Sequence, residues 1–244
     1  MMLRGRLATP VLILAIVAAG CTGAGGGDKA GGGGEPVVLR IASTGAHGGF
    51  SPGVEYFLQR VNELSSGELR IDVVYDWGSF SPDAEQKAVR DVAAGKADLT
   101  PAGPRVFDTL GVKSFQALTA PMLIDSYPLE DAVAKSDIPG QMLAMLENLG
   151  VTGLGILGGS LNKPIAVQKP LLGPSDWQGI TFATYRSRTQ AQAIRALGAQ
   201  STDVFGPALD EGLDNGQIQG FSKRPPRLRG QRDGASCPLI VPPM

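Results

Sequence analysis

The side chains able to act as acids, bases, nucleophiles or metal ligands are few. The 244 residues include one histidine, His47, and two cysteines, Cys21 and Cys237. That is too little for a Cys/His zinc module or a disulfide framework. His47 could serve as a general base, but no cysteine nucleophile pairs with it. No Gly-x-Ser-x-Gly elbow, His-Glu-x-x-His pair or Walker loop is present. The acid pair Asp210-Glu211 is spaced for a solvated helix surface. An enzyme is therefore disfavoured, no cofactor is expected, and the chemistry left is non-covalent capture of a ligand. Phe50, Arg105 and Phe107 follow strand ends, where open α/β sheets place ligands.

The elements that must position these residues alternate in type. Residues 37–42 are β-rich, and Ser51-Pro52 opens a helix to Leu64 with Val54, Phe57, Leu58, Val61 and Leu64 on one face. Residues 69–75 alternate with period two, as a strand does. Ser81 as cap and Pro82 at the first position start a second helix, which runs to Ala94 and stops at Gly95. A short strand over 97–100, a helix over 139–149 closed by Gly150, and a strand over 151–157 follow. This βαβαβ order predicts a parallel or mixed sheet with helices on both faces. A second unit begins near Gly158. It has strands over 162–167 and 179–184, a capped turn at Ser175-Asp176-Trp177, a helix from Ser187 to Leu197 stopped by Gly198, and a short helix over 207–213.

Charge is distributed unevenly. Residues 21–221 hold 15 basic and 22 acidic side chains. An acidic body argues against nucleic-acid binding, which needs clustered Lys and Arg. At the N-terminus, Arg4 and Arg6 precede the nine-residue apolar run Val11–Ala19. This fits a signal peptide over 1–20 and is too short to span a bilayer, which needs about 20 residues. Ala18-Ala19-Gly20-Cys21 resembles the lipobox of bacterial lipoproteins, which implies a diacylglyceryl anchor on Cys21 and attachment to a membrane. An ordinary secretory signal with an incidental cysteine is the alternative. Residues 22–34 include eight glycines, and such a tether, over about 14 residues, reaches about 20 Å.

The order of motifs resembles the substrate-binding proteins of TRAP (tripartite ATP-independent periplasmic) transporters, the dicarboxylate-binding DctP-like family. The resemblance is carried by Leu64-Ser65-Ser66-Gly67-Glu68-Leu69, by Ala94-Gly95-Lys96-Ala97-Asp98 after Ala88-Val89, and by Asn162-Lys163-Pro164-Ile165. Ser175-Asp176-Trp177-Gln178-Gly179-Ile180, Ala196-Leu197-Gly198-Ala199, Ala208-Leu209 and Gly216-Gln217-Ile218-Gln219-Gly220 continue it. No single element is specific; their order over residues 36–221 is.

The resemblance implies an α/β, periplasmic-binding-protein-like clamshell of two lobes, a first over 36–157 and a partial second over 158–221. It implies a small organic acid in the interlobe cleft and a TRAP-type permease as partner. A family arginine that pairs with the substrate carboxylate falls here on Ala183. One such charge-assisted bond is worth about 1.5–3 kcal/mol, or roughly 10- to 100-fold in affinity. Either Arg186 or Arg188 replaces it, with Arg186 preferred, or the ligand is not an ordinary carboxylate. Lys163 matches a second family cation, with Asn162 beside it. Tyr185 is placed to stack or donate a hydrogen bond. The loop holding His47 and Phe50 faces the cleft in this family. A solute-binding sensor and the binding protein of an ATP-driven importer share the same clamshell logic.

Residues 222–244 break the pattern. Five prolines and five basic residues fall in these 23 positions, and the odd Cys237 lies among them. The composition predicts an irregular tail, either genuine or the product of a frameshift after Phe221 that leaves the second lobe incomplete and the chain a non-functional fragment.

Overall fold

The first strand, β1 (Val37–Ala42), pairs in parallel with β2 (Leu69–Val74), Val37 opposite Leu69 and Ala42 opposite Val74. The computed structural model describes residues 35–45, 50–223 and 237–241. The run over 1–20 expected as a signal peptide, Cys21, the tether expected over 22–34 and His47 lie outside them. The connection between β1 and β2 is α1 (Pro52–Leu64), with Ser51 at its N-cap and Pro52 in its first turn. Val54 is buried, and Phe57 and Leu58 pack with it against Ile41 and Leu99. Leu64 ends the helix exposed, off the expected apolar face.

The next helix, α2 (Ala84–Ala93), starts later than the Ser81-Pro82 signal predicts. Asp83 is its cap residue, and Ser81 spends its hydroxyl on the Asp83 carboxylate at 3.0 Å. Gly95 ends it with a left-handed φ of 70°. The expected strand at 97–100 narrows to a parallel bridge between Leu99 and Ile41 and to β3 (Thr100–Pro101). The region between β3 and β4 (Thr152–Leu157) holds 3₁₀ turns at Pro104–Asp108 and Ser114–Thr119, then α3 (Tyr127–Ala134) and α4 (Ile138–Ala144). The sequence pattern did not anticipate α3. The predicted helix over 139–149 divides into α4 and a 3₁₀ turn, closed at Gly150 with φ 70°.

A second sheet follows with strand order β5-β8-β6-β7: β5 (Lys163–Ala166), β6 (Thr181–Thr184), β7 (Gln200–Asp203) and β8 (Gly220–Lys223). Strands β6, β7 and β8 run parallel, and β5 is antiparallel to β8. Helix α5 (Arg188–Ala196) links β6 to β7, and α6 (Pro207–Asp214) links β7 to β8. The Ser187 hydroxyl caps α5 as the sequence indicates, accepting from the Gln190 amide at 3.2 Å.

The tail departs from its expected irregularity. Residues Cys237–Val241 form β9, which lies between β3 and β4 and pairs antiparallel with both. The run Leu239-Ile240-Val241 is apolar and β-branched at two positions, which suits a central strand better than the prolines around it do. Strand β8 likewise carries on through Lys223, past the expected boundary at Phe221.

The main core lies under α2, with Val89, Val92, Phe107, Phe115, Leu146 and Val151 at 6% exposure or less. Phe107 and Phe115 pack with centroids 4.6 Å apart and ring planes tilted by 32°. A smaller core under the second sheet joins Trp177, Phe182 and Ile194. Among the described residues, no helix is long and apolar enough to cross a membrane.

Asp91, on the buried side of α2, accepts from the Trp77 indole at 3.0 Å and from Lys96 at 2.9 Å, and pairs with Lys87. Burial acts to raise its carboxyl, but the bonds from Lys87, Lys96 and Trp77 outweigh it and hold the group at about 2, against 3.8 ordinarily. A depressed folded value stabilises the fold above the ordinary value and loses that stabilisation as pH falls toward the folded one. Stability of the wild type should thus drop between about pH 4 and pH 2. Asp91→Asn should be less stable at pH 7 and show a shallower acid loss by urea denaturation. Parallel acid profiles for the two proteins would exclude Asp91 as the source.

Candidate functional site

Parallel strands direct their C-terminal ends, and the loops that follow, to one edge of a sheet, the usual place for a ligand. In the second sheet those ends bring Tyr185 after β6, Phe205 after β7, and Ser222 and Lys223 at the end of β8 around a cavity of about 460 Å³. Glu85 of α2 and Arg105 of the Pro104–Asp108 turn line it from the first group of elements. Asn162, Gln190, Leu209 and Phe221 complete the wall.

Arg105 is the most constrained charge here. Its guanidinium pairs with the Glu85 carboxylate, and both side chains are only 14% exposed. Its Cζ lies 4.9 Å from the centre of the Tyr185 ring, a cation–π distance. The Arg105 Nε is buried without a hydrogen-bond partner in the structure. A Cβ at Gly103 would collide with the guanidinium, so glycine two residues upstream gives Arg105 room to lie flat. Tyr185 in turn meets Phe205 edge-on at 6.1 Å, and Phe205 lies 6.3 Å from Phe80. An aromatic row thus backs the charged pair.

Of the residues the sequence singles out, Arg105, Asn162 and Tyr185 meet at this cavity. Phe107 does not. It is fully buried in the main core, because the 3₁₀ turn sends Arg105 outward and its neighbour two residues on inward. Phe50 packs into the core beneath α1, 6.3 Å from Tyr75. Lys163 is exposed on β5, its backbone opposite that of Lys223. Arg186 has a left-handed φ of 44° and lines a separate polar groove of about 590 Å³ with Arg90, Arg188, Arg195 and Asp203. Ala183 is buried in β6. The cavity's described cations are therefore Arg105, from the opposite wall, and Lys223. Glu85, Phe205 and Lys223 were missed. The position of Phe205 and Lys223 just past or at the ends of parallel strands was the available signal.

The same turn that carries Arg105 also ties the two groups of elements together. Asp108 Oδ2 accepts from the Ser187 hydroxyl at 2.7 Å and from the Thr189 amide at 2.9 Å. The Gln86 side-chain amide donates to the Arg186 carbonyl at 3.0 Å.

The family model for bacterial extracellular solute-binding proteins, family 7 (DctP), matches residues 50–231. The chain belongs to this family. It is a family of solute-binding proteins rather than of enzymes, and its members act outside the cytoplasm. The C4-dicarboxylate-binding periplasmic protein DctP of Rhodobacter capsulatus is 21% identical over 201 residues. That match takes in 81% of this chain and 59% of the relative's length. A TRAP periplasmic solute-binding protein from Polaromonas sp., solved with D-erythronate, aligns with a TM-score of 0.71 and 17% identity, covering 84% of this chain and 71% of that one. The counterpart from Sulfurospirillum deleyianum, solved with succinate, gives 0.68 and 18%, covering 85% and 69%. These likenesses establish the α/β periplasmic-binding fold.

Asp108 holds its place through two hydrogen bonds to its carboxylate, and a bond to a charged group is worth about 1.5–3 kcal/mol net. Asp108→Ala should therefore lower the stability of the full chain by about 2 kcal/mol in urea denaturation. An unchanged midpoint would show that the junction is held elsewhere.

Proposed function

We propose that the protein is an extracytoplasmic solute-binding protein that captures a small organic acid and delivers it to a TRAP-type membrane permease. The observation that carries this reading is the cavity at the C-terminal ends of β6, β7 and β8, lined by Arg105 and Lys223. A planar guanidinium and an ammonium in a concave, partly apolar site suit a carboxylate. The charged wall and the aromatic wall come from different groups of elements, so a ligand between them would favour their approach, as in hinge closure around a solute. The family membership and the ligands named for the solved relatives, D-erythronate and succinate among them, support the same chemistry.

The sequence features at the N-terminus extend the reading. Residues 1–20 would be removed as a signal, Cys21 would carry a diacylglyceryl group, and residues 22–34 would tether the domain to the membrane surface.

In this account Arg105, not Arg186, meets the carboxylate. With an acid that binds the wild type by titration calorimetry, Arg105→Ala should weaken binding roughly 10- to 100-fold. Arg105→Lys should also weaken it, since an ammonium lacks the planar fork. Arg186→Ala should change the dissociation constant less than about twofold, as a solvated charge outside the cavity. The reverse ranking of Arg105 and Arg186 would move the ligand to the polar groove.

A further inference from the structure

Resting on the reading above, we infer that the ligand is an aromatic monocarboxylate rather than a short dicarboxylate. The first observation is the charge around the cavity. Its described charged residues are Glu85, Arg105 and Lys223. Glu85 already matches Arg105, with both side chains 14% exposed. The charge of Lys223 is the one left unmatched, because Lys223 forms no ion pair with another described residue. One ligand carboxylate balances it. A second carboxylate would lie beside the Glu85 carboxylate without a counter-charge of its own, or would have to displace Glu85 from Arg105, and like charges held close disfavour each other.

The second observation is the remainder of the wall. Tyr185, Phe205 and Phe221 face the cavity, and Tyr185 and Phe205 are already set edge to face at 6.1 Å. Aromatic surfaces so arranged gain most from another ring, through offset or edge contacts. The volume of about 460 Å³ falls in the range, ~300–1,000 Å³, of pockets that enclose ligands well above four carbons in size. A four-carbon diacid would leave the aromatic wall without a partner. A ring bearing one carboxylate fills both halves of the site: the carboxylate toward Lys223 and the edge of the Arg105–Glu85 pair, the ring against Phe205 and Tyr185.

The test is titration calorimetry of the full chain with benzoate, 4-hydroxyphenylacetate, D-erythronate and succinate. At least one of the two aromatic acids should bind roughly tenfold or more tighter than succinate. Glu85→Gln frees the Arg105 charge, and should strengthen succinate relative to the aromatic acid by roughly fivefold or more. Phe205→Leu keeps the site apolar but removes the ring, and should weaken the aromatic acid by about fivefold. Circular dichroism establishes that each variant is folded, and either variant suffices if the other does not fold. If succinate or D-erythronate binds the wild type as tightly as the aromatic acids, the inference is overturned while the acid-binding reading stands. If none of the four acids binds the folded wild type, the acid-binding reading fails as well.

Discussion

A guanidinium set into a wall where it is 14% exposed needs a counter-charge and a surface to lie on, or the cost of removing it from water is not recovered. Arg105 obtains the charge from Glu85 and the surface from Tyr185. The two partners come from different places in the chain. Glu85 sits in the first turn of α2, in the group of elements that includes Arg105, whereas Tyr185 follows β6 in the second sheet. The pairing therefore requires that the two groups stand against each other. Asp108, three residues after Arg105 on the same turn, makes the adjoining contact by accepting from Ser187 and Thr189 at the start of α5. One five-residue turn thus carries both the charge that faces the cavity and the carboxylate that joins the walls.

How the site is built explains which residues were legible in the sequence. Arg105 and Tyr185 were, because each follows a strand and carries a side chain suited to binding. Local helix signals were legible too. Ser187 caps α5, and Gly150 and Gly198 end their elements with left-handed backbone at φ 70° and 94°, where glycine has no steric penalty. Phe107 looked the same as Arg105 from the sequence, since a tight turn's inward and outward positions are decided by what it packs on. Arg186 looked like the natural substitute for a cation at Ala183 by proximity alone. Its left-handed backbone and the Asp203 carboxylate, which accepts its amide at 3.2 Å, fix the chain where its side chain lines the other groove.

Long-range pairing was the least legible. Strand β9 has only five residues, and its place between β3 and β4 depends on partners 80 or more positions away. Composition alone marked that stretch as irregular, because prolines and basic residues dominate what precedes it. Lys223 was hidden for the same reason: it belongs to β8 by hydrogen bonding and to the basic tail by composition. Helix α3 has a modest apolar face and no buried residue, so its pattern is weak although its first turn carries Pro128. In each case tertiary context, not local propensity, decided the outcome.

The proposed function requires a ligand carboxylate in the cavity between Arg105 and Lys223. Crystals of the full chain grown with 4-bromobenzoate would locate it, because anomalous scattering fixes the bromine and so orients the ring. The carboxylate should lie beside Lys223 and the Arg105–Glu85 pair, with bromine over the Phe205 side of the cavity. Bromine in the groove lined by Arg186, Arg188 and Arg195, with the cavity at the strand ends empty, would contradict that placement.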